Sequence, residues 1–536
     1  MATTSPTAPV PPAQVTGSAW SLPSRAVAAL SGTVGFAIKI ALLAIVNAFA
    51  VWAGFVLATD EHWVALLILV AATLAIDAVY LSKRAIPLKF LVPGTVFLLG
   101  FQIAPMIFNV NVAFTNWSTG HILQKDEAIQ GIERNSLSEA PGGAIYVMAP
   151  ARDENGDLVL LLVDDSTGRG FVGTEEGLEP NPGVELTPEG AIAAAPEGYT
   201  LVPPNQQLAL DQELTAFAVP VTANRYVRAE GFETALTVAP TLRYVPQRDV
   251  FVRISDGTVF RDNEHGAFVA ANGEELEPGW RTHIGRENFS ALVRDPLVRD
   301  PFFRVFVWTF VFATLTVFGS FAIGLFLAIA LNHPEMRMQR SYRTLLVIPY
   351  AIPGFLSLLV WQGLLNDDFG VVNNVLHLNV PWLFDPNWAK VSCILVSVWL
   401  TTPYFFLVAL GALQSIPAEL VEAARVDGGG PLAIFRRITL PLLLVAVAPL
   451  LIASFAFNFN NFNNIYLLTA GGPPSEDQSV AGATDILISY TYKLAFEAGK
   501  GQDYGLASAV SIAIFFVVAG ISAISFWRTK SLENLA

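Results

Sequence analysis

Eight stretches of the chain run for about 20 residues or more with almost no charge, at 34–58, 62–81, 88–110, 302–331, 344–365, 391–413, 440–466 and 507–527. A helix needs about 20 consecutive apolar residues to cross a bilayer. A backbone inside hydrocarbon must satisfy its own hydrogen bonds, so these stretches predict membrane-spanning helices. Charged residues make up only 14% of the sequence, against about 25% in a typical soluble domain. Pro93 and Gly94 interrupt the third stretch, and Pro349, Pro353 and Gly354 interrupt the fifth. Such breaks persist in spans where neighbouring helices or water satisfy the freed groups.

The charge is segregated. Residues 111–300 hold 29 Asp/Glu against 14 Lys/Arg, a balance of −15, whereas the whole chain carries −14. The remainder is therefore near neutral, and one acidic insert interrupts a membrane protein. An acidic insert gives no electrostatic ground for binding nucleic acid or an anionic lipid surface. The expected fold class is an α-helical polytopic membrane protein of about eight spans with an inserted, mainly β domain. Runs such as Ala144–Val147, Leu158–Val163, Thr215–Val221 and Val250–Ile254 read as strands, with turns at Asn155-Gly156, Asp256-Gly257 and Asn272-Gly273. The single cysteine, Cys393, excludes an internal disulfide. His121, His265 and His283 are scattered without metal-ligand spacing and read as ordinary surface histidines.

The cations sort by loop. Lys83, Arg84 and Lys89, then Arg337, Arg340 and Arg343, then Arg425, Arg436 and Arg437, then Arg528 and Lys530 all fall on one side of an eight-span chain. By the positive-inside rule that side is cytoplasmic, so both termini lie inside and 111–300 lies outside. The opposite loops carry Asp367, Asp368, Asp385, Glu476 and Asp477. Lys39 and Asp77 fall near cytoplasmic span ends, where snorkelling accommodates them. The expected organisation is a disordered tail at 1–30, spans 1–3 at 31–110, the outside domain at 111–300, spans 4–8 at 301–527 and a short cytoplasmic tail at 528–536. A loop at 415–441 separates the sixth and seventh spans.

That loop reads Glu422-Ala423-Ala424-Arg425-Val426-Asp427-Gly428, followed after nine residues by Ile438-Thr439-Leu440-Pro441. Ser415 is a possible N-cap with Pro417 in the first turn, and Gly428, Gly429 and Gly430 stop the helix. Small Ala423 and Ala424 permit close approach by another protein, and Glu422 and Asp427 offer charge-assisted hydrogen bonds. The spacing E-A-A-x3-G-x9-I-x-L-P resembles the signature of permease subunits of ABC importers. The resemblance implies that Glu422, Ala423, Ala424 and Gly428 touch a separate cytoplasmic ATPase. No G-x-x-x-x-G-K-[ST] run occurs in the sequence, so this chain has no phosphate-binding loop of that kind. The resemblance implies that the chain is a transport subunit rather than an enzyme. It binds no cofactor, with ATP and Mg on the partner ATPase dimer. It also implies a second permease subunit, an extracytoplasmic sugar-binding protein and residence in a bacterial or archaeal cell membrane.

The resemblance sharpens further along. Ser454–Phe462, Gly471-Gly472-Pro473, Ser489-Tyr490-Thr491-Tyr492 and Gly501–Gly505 resemble the larger permease subunits of maltose and maltodextrin importers. So does the order of three spans, a large outside domain and five spans. In that family Ser397, Leu400, Thr401 and Tyr404 match sugar-contacting positions. Leu400 and Tyr404 keep the family type, while Ser397 replaces an amide and Thr401 a glycine. A reshaped pocket leaves trehalose or a longer oligosaccharide open beside maltose.

Spans 5–8 place no ionised side chain in their central stretches, so a charged solute lacks a counter-ion there. Span 7 instead concentrates Asn458, Asn460, Asn461, Asn463 and Asn464. An unpaired amide in hydrocarbon costs about 1–3 kcal/mol or more, so some of these must face protein or a wet cavity. On a continuous helix Phe457, Asn461 and Asn464 share one face with Asn458 beside it, and Asn463 points elsewhere. That face suits a neutral polyol, or else glues the bundle through interhelical amide bonds. An ion-coupled sugar transporter is the alternative from another class, and it lacks coupling carboxylates within the spans.

Overall fold

The first described helix, α1 (Thr33–Thr59), turns at Asp60–His62 into α2 (Trp63–Leu81). The computed structural model describes residues 33–82, 86–188, 190–222, 224–332, 336–475, 479–497 and 502–533. The expected tail 1–30, Lys83, Arg84, Glu476, Asp477 and 534–536 lie outside the described residues. Two compact units divide the chain, one up to Ile107 and one from Phe108 onward.

In the first unit, α1 and α2 join through Asn47, whose Nδ2 donates to Asp77 Oδ1 at 3.0 Å. Asp77, expected to snorkel, is thus paired across the hairpin. A polar pair inside an apolar hairpin serves as interhelical glue. Lys39 lies over the Phe36 ring at 4.8 Å. The third span, α3 (Ile86–Val112), contains Pro93 and a π-turn at Leu99–Ile103.

In the second unit the spans are α4 (Pro296–Ala330), the bent pair α5 (Gln339–Ala351) and α6 (Gly354–Leu364), α7 (Pro386–Ser415), α9 (Pro431–Phe459) and α12 (Tyr504–Glu533). Between them lie α8 (Ala418–Val426), α10 (Phe462–Thr469) and α11 (Leu487–Phe496). Among the described residues seven helices are long and apolar enough to cross a membrane, and α5 with α6 makes an eighth, bent by 91°. Pro349 inside α5 and Pro353 as the N-cap of α6 produce that bend. Expected span 7 is two helices, because the chain leaves helical geometry at Asn460 and Asn461 (φ −112° and −82°).

The inserted domain holds two antiparallel sheets. The larger runs Leu178–Pro180, Gly170–Gly173, Leu158–Asp164, Ile145–Arg152, Thr234–Pro240, Arg225–Glu230, Ala218–Thr222. Its strand Leu158–Asp164 is buried on both faces. Leu158, Leu160 and Leu162 join one core, while Val159, Leu161 and Val163 join the other. Two-sided burial explains an unbroken apolar run where a half-exposed strand alternates. The three expected turn dipeptides sit in hairpins. Thr215 and Ala216 belong to the helix Asp211–Ala216 instead of the expected strand, which starts at Ala218.

The smaller sheet is a five-stranded meander over Leu242–Leu276. It packs Phe251, Phe260, Phe268 and Trp280 against Ala128 and Ile132 of the helix Lys125–Asn135. Lys125 bonds Asp249 and Asp262 at 2.5 and 2.6 Å and lies 5.1 Å above the Trp280 ring. Phe251 is fully buried, and its ring centroid lies 5.1 Å from those of Tyr244 and Phe268. Phe251→Ala is expected to cost about 3–5 kcal/mol of domain stability. Limited proteolysis of the intact protein checks this, and unchanged resistance to cleavage would place the core elsewhere.

Candidate functional site

The two helix breaks line one cavity together with α7. The α5–α6 bend contributes Pro349, Tyr350, Ile352, Gly354, Phe355 and Leu358 to a cavity of about 760 Å³. Leu400, Thr401 and Tyr404 enter from α7, and Ser454, Phe457 and Asn458 from the end of α9. Asn461, Asn463 and Asn464 complete it from the start of α10. Among the described residues no Asp, Glu, Lys, Arg or His lines this cavity.

Its polar groups are amides and hydroxyls with bonding capacity to spare. Asn458 is 1% exposed, and its Nδ2 donates back to the Ser454 carbonyl at 2.9 Å. Its Oδ1 is buried without a partner among the described residues. An unpaired buried acceptor costs about 1–3 kcal/mol, which a ligand hydroxyl can offset. Asn461 accepts from the Asn464 amide N–H at 3.3 Å as the N-cap of α10. That use leaves its own NH₂ group available. The exposed ring of Phe457 and the half-buried ring of Tyr404 provide flat apolar surfaces beside these groups.

The cavity thus brings together Leu400, Thr401, Tyr404, Phe457, Asn458 and Asn461. Ser397 is not among its lining residues. It is 1% exposed, and its Oγ accepts from Asn464 Nδ2 at 3.0 Å. The serine is too short to reach the cavity, so it orients an amide that does. Asn463 is a second correction. A continuous helix turns it away, but the break at Asn460–Asn461 re-aims α10 and puts Asn463 on the wall. The contributions of the α5–α6 bend were missed at the sequence level. Pro349 and the Pro353-Gly354 pair were their signal.

The loop after α7 departs from expectation at its start. Ser415 closes α7, donating to the Ala412 carbonyl at 2.8 Å, and Pro417 is the N-cap of α8. Glu422 and Ala423 are exposed on α8 and Ala424 is half-buried. At Gly428 the backbone reaches φ +83°, a left-handed conformation that favours glycine, and its N–H donates to the Arg425 carbonyl at 3.0 Å. Val426 and Leu432 are 87% and 78% exposed, and exposed aliphatic groups clustered on a short loop suit a protein partner. Among the described residues no group of three or more His, Cys, Asp or Glu is placed to hold a metal ion. His265 bonds Glu287 and the Asn263 carbonyl, and His121 bonds Ser118.

Comparison with known proteins gives consistent matches. Residues 320–534 match the family described as the binding-protein-dependent transport system inner membrane component. Residues 96–176 match the N-terminal family of the transmembrane subunit in PBP-dependent ABC transporters. The maltose/maltodextrin transport system permease protein MalF of Salmonella typhi is 33% identical over 472 residues, covering 84% of this chain and 88% of that protein. The protein of the same name from Vibrio vulnificus (strain YJ016) is 32% identical over 532 residues, covering 95% and 97%. A solved bacterial ABC transporter involved in import of the acidic polysaccharide alginate aligns over 46% of this chain and 84% of its own, at 24% identity and TM-score 0.40.

Proposed function

This chain belongs to the MalF family of inner-membrane, binding-protein-dependent ABC permeases, and from that premise we propose that it carries neutral oligosaccharides of the maltose/maltodextrin class inward. The observation that carries this reading is the uncharged cavity with an orphaned buried amide oxygen beside two aromatic rings. Tyr404 and Phe457 stack on the apolar faces of the sugar. Asn458, Asn461 and Asn463 exchange hydrogen bonds with its hydroxyls, and Leu400 and Thr401 set the width. A polyol needs groups that both donate and accept, and carboxamides do both.

The remaining parts follow the same reading. The β domain lies outside and receives a sugar-loaded binding protein. A second permease subunit completes the path. An ATPase dimer that handles ATP and Mg docks on α8 through Glu422, Ala423, Ala424 and Gly428, with both chain ends on its side of the membrane. Membership in an ABC family disfavours the ion-coupled alternative.

Sugar-stimulated ATP hydrolysis by the reconstituted complex tests the proposal. Maltose or maltotriose is expected to stimulate turnover and a uronic-acid oligosaccharide is not, because no cation lines the cavity to pair with it. Stimulation by trehalose alone would move the substrate within the neutral class. Stimulation by the uronic acid alone would overturn the reading.

A further inference from the structure

The outer end of α10 runs into a polar cluster that the cavity does not use. Gly471-Gly472-Pro473 follows α10, and the chain returns to Thr484 and Asp485 just before α11. Asp485 is fully buried. Its Oδ2 accepts from the Gly482 amide at 2.7 Å and from Lys493 Nζ at 2.8 Å, and its Oδ1 accepts from Ser489 Oγ at 2.8 Å. Gly471 lies so close that a Cβ there would overlap the Asp485 carboxylate. Beside it, the fully buried Thr484 donates through Oγ1 to the Gly472 carbonyl at 2.7 Å. The same oxygen lies 2.7 Å from Oγ1 of Thr469, the last residue of α10. Trp308 Nε1 of α4 donates to the Thr484 carbonyl at 3.1 Å, and the Leu487 amide donates to Thr309 Oγ1 at 3.0 Å. One knot therefore joins α4, α10 and α11.

The break at Asn460–Asn461 gives this knot its consequence. It uncouples α10 from α9, so helical continuity no longer sets where Asn461, Asn463 and Asn464 point. Among the described residues its polar tethers are Asn464 to Ser397 near the start, Tyr466 to Glu497 in the middle and Thr469 to Thr484 at the end, and only the last belongs to the knot. Ile465 and Leu468 are buried between them. Binding constellations work when a supporting shell holds them to within about 0.5 Å.

We propose that the Thr484–Asp485 knot is a positioning device that holds the asparagine arm of α10 in register with bound sugar. This rests on the reading of the cavity as the sugar site. Thr484 and Thr469 touch no sugar and act through α10.

The test uses the purified full transporter in nanodiscs, without binding protein. The chain's one cysteine, Cys393, is buried, so Ile352→Cys supplies an accessible thiol on the cavity wall. Maleimide labelling is titrated with maltose and with maltotriose, and the half-protecting concentration is read. Thr484→Val is expected to raise it roughly fivefold, the equivalent of about 1 kcal/mol or one hydrogen bond. Thr484→Ser, which restores the hydroxyl, is expected to return it to the parent value. Thr469→Val keeps the Thr484 bond to Gly472 and is expected to shift protection in the same direction, so a Thr484→Val protein that fails to assemble does not end the test. If both valine variants protect like the parent while Asn458→Leu weakens protection, the knot is packing alone and the proposal is wrong. If neither sugar protects the parent, the cavity reading falls and takes this proposal with it.

Discussion

Gly428→Pro in the assembled transporter is expected to abolish ATP-driven sugar uptake while the chain still inserts and assembles. Gly428 holds φ +83°, whereas proline is fixed near −65°. Proline also removes the N–H that donates to the Arg425 carbonyl. The chain leaving α8 must then take another path, and Val426 and Leu432 lose their presentation to the ATPase. Glu422→Lys separates contact from backbone geometry, because Glu422 is exposed and makes no side-chain bond among the described residues. It reverses the charge offered to the partner at little cost within this chain. Uptake is expected to fall at least tenfold, on the order of the 1.4 kcal/mol that a charge-assisted contact supplies. Proteoliposome uptake and co-purification of the ATPase check both variants. Normal uptake by either one would show that α8 does not carry coupling.

Asn458→Leu has the second large expected effect. The substitution preserves bulk but removes a buried, unpaired amide oxygen from a residue that lines the cavity. A sugar hydroxyl left without its partner in a closed site costs about 1–3 kcal/mol, or roughly 5- to 150-fold in affinity. Uptake at limiting sugar should fall by that factor, while ATPase stimulation by an empty binding protein, which depends on the outer domain and α8, persists. Asn463 cannot serve as the control, because it lines the same cavity. Asn460 can. It bonds the Ala456 carbonyl at 3.3 Å and faces a different pocket with Ile488 and Phe515. If Asn460→Leu and Asn458→Leu lower uptake equally, the asparagines act as bundle glue.

The two asparagine substitutions also mark where sequence reasoning stopped. The spans were legible because a bilayer demands long apolar runs, and the inserted domain because its charge and turn dipeptides differ from its surroundings. The stop of α8 at Gly428 was legible in its run of glycines. What periodicity cannot see is where a helix ends inside an apolar run. Asn461 was read as a point on a wheel, yet asparagine is also a strong N-cap, and capping α10 is what it does here. With that break Asn463 joined Asn461 and Asn464 on the cavity wall, which a continuous helix does not allow. Ser397 lies off the cavity wall for a different reason. The resemblance carried over its position, but a serine in place of an amide could reach only its neighbour Asn464. Ser415 had the residue type of a cap, but the N-cap of α8 is Pro417, two residues later.

The location of the sugar itself tests the central claim most directly. The full complex, with an ATPase that binds but does not hydrolyse ATP, can be trapped with maltose or maltotriose and its structure solved by electron microscopy. A sugar is expected between Tyr404 and Phe457, with a hydroxyl within hydrogen-bonding distance of Asn458 Oδ1. A sugar held elsewhere along the path of a transport-competent complex, with this cavity empty, would contradict it.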